Sequence, residues 1–212
     1  MSEPRKRDGV RDLLVRARRE QIVEAATRVF AQKGFRRATT REVAREAGIS
    51  EGTIYNYFED KDALLMAILE RLNETERRAE DFEEGMATDF EGFLRDYLSR
   101  RMSLIWENRE VFRVVLSEIL VNAELRERYL EHVVAPTMSI AEENFRSRIR
   151  QGKARAVDAP LAMRAVTGAV IGLLVLGLLG DEEVGSRWEE ASGVLTGLLL
   201  HGLDASGGGR RE

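Results

Sequence analysis

TTREVAREAGISEGTIYNYFEDKDALL, residues 39–65, reads as two short helices joined by a glycine turn and followed by a third, capped helix. Thr39 and Glu42 have the Thr-x-x-Glu spacing of a capping box, which puts Val43, Ala44 and Ala47 on the inner face of the first helix. Gly48 ends it, because the residue past a helix C-terminus commonly adopts the left-handed conformation that glycine tolerates best. Ser50 is suited to cap a second helix over Glu51 to Phe58. Ile54 and Phe58, four apart, face inward there and leave Glu51, Gly52, Thr53, Asn56 and Tyr57 to meet a groove. Asp60 caps the next helix, and Lys61 with the free N–H groups of that first turn is expected to clamp a phosphate. The layout is that of a helix-turn-helix DNA reader.

From about Glu20 to Leu65 the chain resembles the DNA-binding signature of the tetracycline-repressor (TetR) family of bacterial regulators. The marks are Phe30, Gly34-Phe35, Thr39, Ala47-Gly48-Ile49-Ser50, Gly52-Thr53-Ile54-Tyr55, Tyr57-Phe58, Lys61 and Leu64. The resemblance implies that Arg41 reaches a base edge or phosphate, that Thr53, Asn56 and Tyr57 lie in the major groove, and that Thr39, Tyr55 and Lys61 hold the DNA backbone, with Gly52 also on the DNA-binding face. Glu51 is acidic where DNA is expected, so it either accepts from a cytosine amino group or points away.

Composition is that of a soluble globular chain: 212 residues, 43% hydrophobic, no cysteine, and therefore no disulfide or thiolate site. The first residues, MSEPRKRDGVRD, lack the apolar stretch of a signal peptide, which favours a cytoplasmic location. The net charge of -4 conceals an asymmetry, since residues 1–61 carry 14 Lys+Arg against 10 Asp+Glu. The positive end is the end with the reader. The arm Arg5, Lys6, Arg7 and Arg11, continued by Arg16, Arg18 and Arg19, either contacts phosphates or the minor groove or is only solubilising. Two histidines far apart, and no phosphate loop, zinc-protease or serine-hydrolase motif, give no catalytic residue, metal site or cofactor.

With three prolines and no alternating β-branched run, the chain is expected to be all-α: an N-terminal three-helix helix-turn-helix domain plus a larger helical effector-binding and dimerisation domain. The expected division is a flexible basic arm at 1–12, the DNA-binding domain at 13–60, the effector and dimer domain at 61–204 and a disordered tail at 205–212. A helix from Lys61 runs on through the charged segment to Glu84, followed by helices over Phe90–Ile105, Val111–Val121 and Glu124–Arg150, with Pro136 kinking or dividing the last of these. Ala165–Gly180 is uncharged yet slightly short for a membrane span and bounded by Arg164 and Asp181, so a buried interface is the better reading. Gly168 and Gly172, and again Gly193 and Gly197, have the four-residue spacing that lets helices approach closely. In the family the last two large helices pair with their twins, which implies a homodimer on residues 161–179 and 187–203 with Leu176 and Leu200 alongside the glycines; the alternative is that both helices fill a monomeric core.

The family also implies a small-molecule pocket between about residues 85 and 179. Phe93, Tyr97, Met102, Trp106, Phe112, Leu116, Tyr129, His132 and Met138 could line it, with Trp106 and Phe112 favoured for flanking a helix-helix turn, although aromatic and methionine side chains at helical spacing are more often plain core. The function expected is a ligand-responsive repressor that binds a palindromic operator as a dimer and is released by a small hydrophobic or amphipathic effector. The alternatives are a helical interaction or enzymatic body with a vestigial DNA-binding head, or a regulator controlled by a protein partner.

Overall fold

A computed structural model describes residues 5–86 and 88–203, and among these every regular element is helical. The chain divides into two compact units. The first, the head, comprises residues 1–71 and 110–129, and the second, the body, residues 72–109 and 130–212. The chain passes between them at 71/72, 109/110 and 129/130. The boundary expected after residue 60 is therefore displaced, and residues 110–129 belong with the head.

In the head, α1 (Arg5–Lys33) buries Ile22, Val23, Ala25, Ala26, Val29 and Phe30 along one stripe, against which α2 (Thr40–Glu46), α3 (Glu51–Tyr55) and α4 (Lys61–Asn73) complete a small core. α1 begins at Arg5, so residues 5–12 extend the helix rather than forming a flexible arm. Gly9 is the weakest helix former there, and one glycine costs only about 1 kcal/mol. α7 (Arg109–Val121) and α8 (Ala123–Tyr129) finish this unit, joined to the α1–α2 loop by an ion pair of Arg36 with the nearly buried Glu118 at 3.3 Å.

α4 does not continue through the charged segment as expected. Glu74 takes the left-handed conformation (φ 50, ψ 46) and separates α4 from α5 (Thr75–Gly85). A partly buried polar knot holds the break: the Asn73 amide donates to Thr75 Oγ1 (2.7 Å) and Thr137 Oγ1 (2.5 Å), while Arg101 bridges Leu72 O (3.2 Å) and the Glu74 carboxylate (3.3 Å). These bonds offset the cost of a non-glycine residue in that region.

In the body, α6 (Phe90–Glu107) starts at the Asp89 cap and stops at Asn108. The expected 124–150 helix is divided. α8 is followed by a π-turn (Leu130–Val134) and then α9 (Ala135–Arg150), with Pro136 in the first turn of α9. Proline has no N–H to give the carbonyl four residues back, so the preceding turn widens instead of continuing the α ladder. α9 lies against α5 and α10 (Ala159–Leu178), and α12 (Trp188–Leu203) against α6, with the short α11 (Glu182–Ser186) between. α10 is long and apolar enough to cross a membrane, yet only Ala159, Val170 and Leu174 on it are buried within the chain. The tail at 205–212 and the first four residues of the arm lie outside the described residues.

Candidate DNA interface and effector cavity

The reader is assembled by short polar bonds. Thr39 Oγ1 accepts from Glu42 N (3.3 Å) and the Glu42 carboxylate accepts from Thr39 N (3.1 Å), completing the capping box. The Lys33 ammonium and the Thr39 backbone hold the Glu42 carboxyl below the usual carboxylate range. Gly48 has φ 66, and Ile49 N donates to Ala44 O (3.0 Å), closing α2 as expected. Ser50 Oγ accepts from Thr53 N (3.2 Å). α3 is shorter than expected: Asn56 is its C-cap, and Tyr57 and Phe58 both donate to Ile54 O in a tight turn.

Ile54 and Phe58 are buried, whereas Thr39, Arg41, Gly52, Tyr55 and Asn56 are exposed and Thr53 and Tyr57 partly so. Glu51 points back at α2. Its carboxylate accepts from the Thr40 hydroxyl (2.8 Å) and from Arg41 Nε (3.3 Å), and these partners, the Thr40 bond first, lower its pKa. The Tyr55 hydroxyl lies 3.2 Å from Thr40 Oγ1, so Thr40, Arg41, Glu51 and Tyr55 form one connected patch. Arg41 remains 85% exposed and keeps its outer nitrogens for another acceptor.

Lys61 corrects the expectation of a phosphate clamp. Its ammonium donates to Phe35 O (2.8 Å) and Ala38 O (3.2 Å) and sits 4.3 Å from the centre of the Phe35 ring. It thus locks the α1–α2 loop from inside. The carbonyls at the end of α1 and in the loop need donors, and lysine at the start of α4 supplies two.

The body holds a cavity of about 60 Å³ between α5, α6, α9 and α10, lined by Phe82, Phe93, Tyr97, Met138, Phe145 and Met163 among others. The rings of Phe82, Phe93 and Tyr97 pack within 4.8–5.7 Å of one another. At its polar edges Arg78 Nε donates to the Tyr97 hydroxyl (2.8 Å) and the Asn144 amide to Phe82 O (2.8 Å). Of the nine expected lining residues, Phe93, Tyr97 and Met138 are brought together here. The other six are not. Met102 is core, and Trp106 stacks on Trp188 with ring centres 4.6 Å apart. Phe112, Leu116 and Tyr129 belong to the head, and His132 is exposed on the π-turn. The turn that Trp106 and Phe112 flank falls where the chain leaves one unit for the other.

Arg78, Asn144 and Arg148 escaped the sequence reading. A signal existed for Arg148, which falls on the inward stripe Thr137, Met138, Ala141, Phe145 and Arg148 of α9.

α10 and α12 present a second, larger apolar groove of about 540 Å³, lined by Gly172, Leu173, Leu176, Val194, Leu195 and Leu198 among others. Gly168 and Gly193 are exposed beside it, and Gly197 and Leu200 partly so. A Cβ added at any of the four glycines would meet nothing within 4 Å in the chain, unlike Gly177, where it would lie 2.7 Å from the Trp106 ring.

Such a head on a helical body defines the class of helix-turn-helix transcriptional regulators. The sequence model described as "Bacterial regulatory proteins, tetR family" matches residues 22–68. The HTH-type transcriptional repressor Rv1474c of Mycobacterium tuberculosis (strain ATCC 25618 / H37Rv) is 32% identical over 63% of this chain and 70% of its own length. The fatty acid metabolism regulator protein of Bacillus subtilis (strain 168) is 27% identical over 77% of this chain and 84% of its own. The solved structure of the transcriptional regulator FadR from Bacillus subtilis in complex with stearoyl-CoA superposes with a TM-score of 0.74 at 24% identity, covering 86% of this chain and 98% of that one. The chain belongs to the tetR family and is a DNA-binding transcriptional regulator.

Proposed function

We propose that this regulator is a cytoplasmic repressor, without enzymatic activity, that binds a palindromic operator as a homodimer and is released when a small amphipathic effector enters the body cavity. The observation that carries the reading is the exposed patch of Arg41, Tyr55 and Asn56 beside Thr53 and Tyr57, fixed in place by caps whose own bonds are complete. In it, Arg41, Thr53, Asn56 and Tyr57 read base edges while Thr39, Gly52 and Tyr55 set the register on the phosphates. One such patch reads few base pairs, so two heads about one helical turn apart, roughly 34–36 Å, give the specificity a regulator needs.

The α10–α12 face supplies the dimer. Leu176, Leu179, Val194 and Leu198 on it are exposed, and its four glycines are not required by packing within the chain, which suits close approach of a second copy about a two-fold axis. The apolar lining of the cavity, and the acyl ligand of the similar Bacillus subtilis protein, favour an effector with a hydrocarbon chain. At about 60 Å³ the cavity is well below the roughly 300–1,000 Å³ of occupied ligand pockets, so the effector must open it. That opening is the differential interaction through which a ligand shifts a regulator between two states. The same small volume favours a second reading, release by a protein partner with no ligand at all.

The test is selection of bound sequences from a random duplex pool, followed by titration of the winning complex with acyl compounds. A palindromic winner that dissociates on titration supports the proposal. A palindromic winner indifferent to every such compound favours the protein-partner reading, and binding without sequence preference overturns both.

A further inference from the structure

Arg148 is fully buried in the body, and no carboxylate among the described residues lies within ion-pair distance of it. Its Nη2 donates to Gly85 O (2.7 Å) and its Nε to Asn144 Oδ1 (3.1 Å), both neutral acceptors. The guanidinium lies 4.6 Å from the centre of the Phe93 ring and 5.1 Å from that of Phe90. Nη1, with two N–H groups, has no partner. Burial pushes the pKa of the group down, and the charge of Asp89 acts the other way, but Asp89 is exposed and its carboxylate caps α6 by accepting from Gly92 N (2.8 Å).

A purely structural tie does not account for this arrangement. The bonds to Gly85 and Asn144 need only Nη2 and Nε, and a neutral side chain could supply donors without bringing an uncompensated charge out of water. What the arrangement lacks is an anion. The position of the group says which kind. Phe90, Phe93 and Asn144, which touch the guanidinium, also line the effector cavity, so the two share these side chains. An effector that parts Phe90 from Phe93 as it widens the cavity reaches the guanidinium they flank, whose Nη1 is unpartnered. A compact anion is the natural partner for a group flanked by two rings, and a carboxylate matches the planar donor edge of a guanidinium.

We propose that Arg148 anchors the head group of the effector and thereby selects an apolar chain ending in a free carboxylate. This rests on the effector reading above and sharpens it: the hydrocarbon fills the space among Phe82, Tyr97 and Met138, and the acid end neutralises the buried arginine.

The test is calorimetric titration of the full-length protein with dodecanoate, dodecan-1-ol and methyl dodecanoate, all below their aggregation limits, on wild type, R148M and R148K. Wild type is expected to bind dodecanoate about tenfold or more tighter than the alcohol or the ester, the increment of a charge-assisted bond. R148M should bind all three alike, and R148K should keep part of the preference. If wild type binds the three alike, the anchor falls while the cavity reading stands. If R148M retains the preference for the acid, another cation holds it and the anchor likewise falls. If none binds, both readings fall together. Should R148M fail to fold, the comparison of three head groups on wild type decides by itself.

Discussion

Head and body deal with their charges in opposite ways. In the head, the charged groups of Glu42, Glu51 and Lys61 each end on a hydrogen-bond partner, and these bonds tie α1, α2, α3 and the α1–α2 loop into a frame that leaves the outer patch of α2 and α3 open. In the body, Arg148 is drawn inside with donors unused, beside a cavity too small for a ligand. The contrast teaches that a reader has to be finished before DNA arrives, whereas a sensor has to be left unfinished. Complete local bonding makes one conformation; an unsatisfied buried group makes the empty state costly relative to the filled one.

Four substitutions in the head break or sharpen this contrast. The largest effect is expected at Ile54→Ala, which removes a buried side chain at a cost of about 2–5 kcal/mol. Hydrogen exchange should then show lost protection over residues 20–58 with α6, α9 and α10 unaffected; equal loss in both units would mean that they are not separate frames. Lys61→Ala should cost about 1.5–3 kcal/mol by chemical denaturation, since it removes charge-assisted bonds to two carbonyls. The slope of log affinity for DNA against log salt should stay unchanged, and a slope lowered by about one would return Lys61 to the phosphates. Thr39→Ala loses the capping box and should destabilise the head by about 1 kcal/mol, visible as a lower thermal midpoint.

The smallest effect concerns pH. Burial, and then the charge of Asp60, raise the pKa of Asp62, so its ionised form is disfavoured in the folded head. Stability contributed by a raised acid is present below its unfolded pKa and is lost as pH rises through the folded value. Asp62→Asn should therefore raise the thermal midpoint at pH 7, and the gain should disappear below about pH 4, where both forms are neutral. A gain independent of pH would assign the effect to something other than titration.

How far each region could be read from sequence follows from the same contrast. Thr39 with Glu42, Gly48, and Ser50 with Thr53 are bonded within three or so residues, so their spacing already contains their geometry. The role of Lys61 is not legible locally, because its partners, Phe35 O and Ala38 O, lie 26 and 23 residues away. The cavity is harder still: Phe82, Phe93, Met138 and Met163 come from four helices, and nothing in one helix says which face meets which neighbour. The apolar run of α10 was legible as a helix needing cover, because an excess of hydrophobic residues on all sides is a local property. Arg148 looks like its neighbours Arg146 and Arg150 in composition. Only its place on the stripe of Ala141 and Phe145 distinguishes it.

The stack of Trp106 on Trp188 has a use beyond packing. These are the only two tryptophans in the chain, and their rings lie nearly parallel, 15° apart, with Trp188 Nε1 donating to Met102 O and Arg109 lying over Trp106. All indole emission therefore originates at one junction, where α6 meets α12 on one side and Gly177 of α10 on the other. A shift of α12 by a fraction of a ring width would change the overlap of the two chromophores and the field of the arginine upon them. The molecule carries its own optical gauge on the body, with none on the head to blur it, and unlabelled protein is enough to time movement there in a stopped-flow fluorimeter.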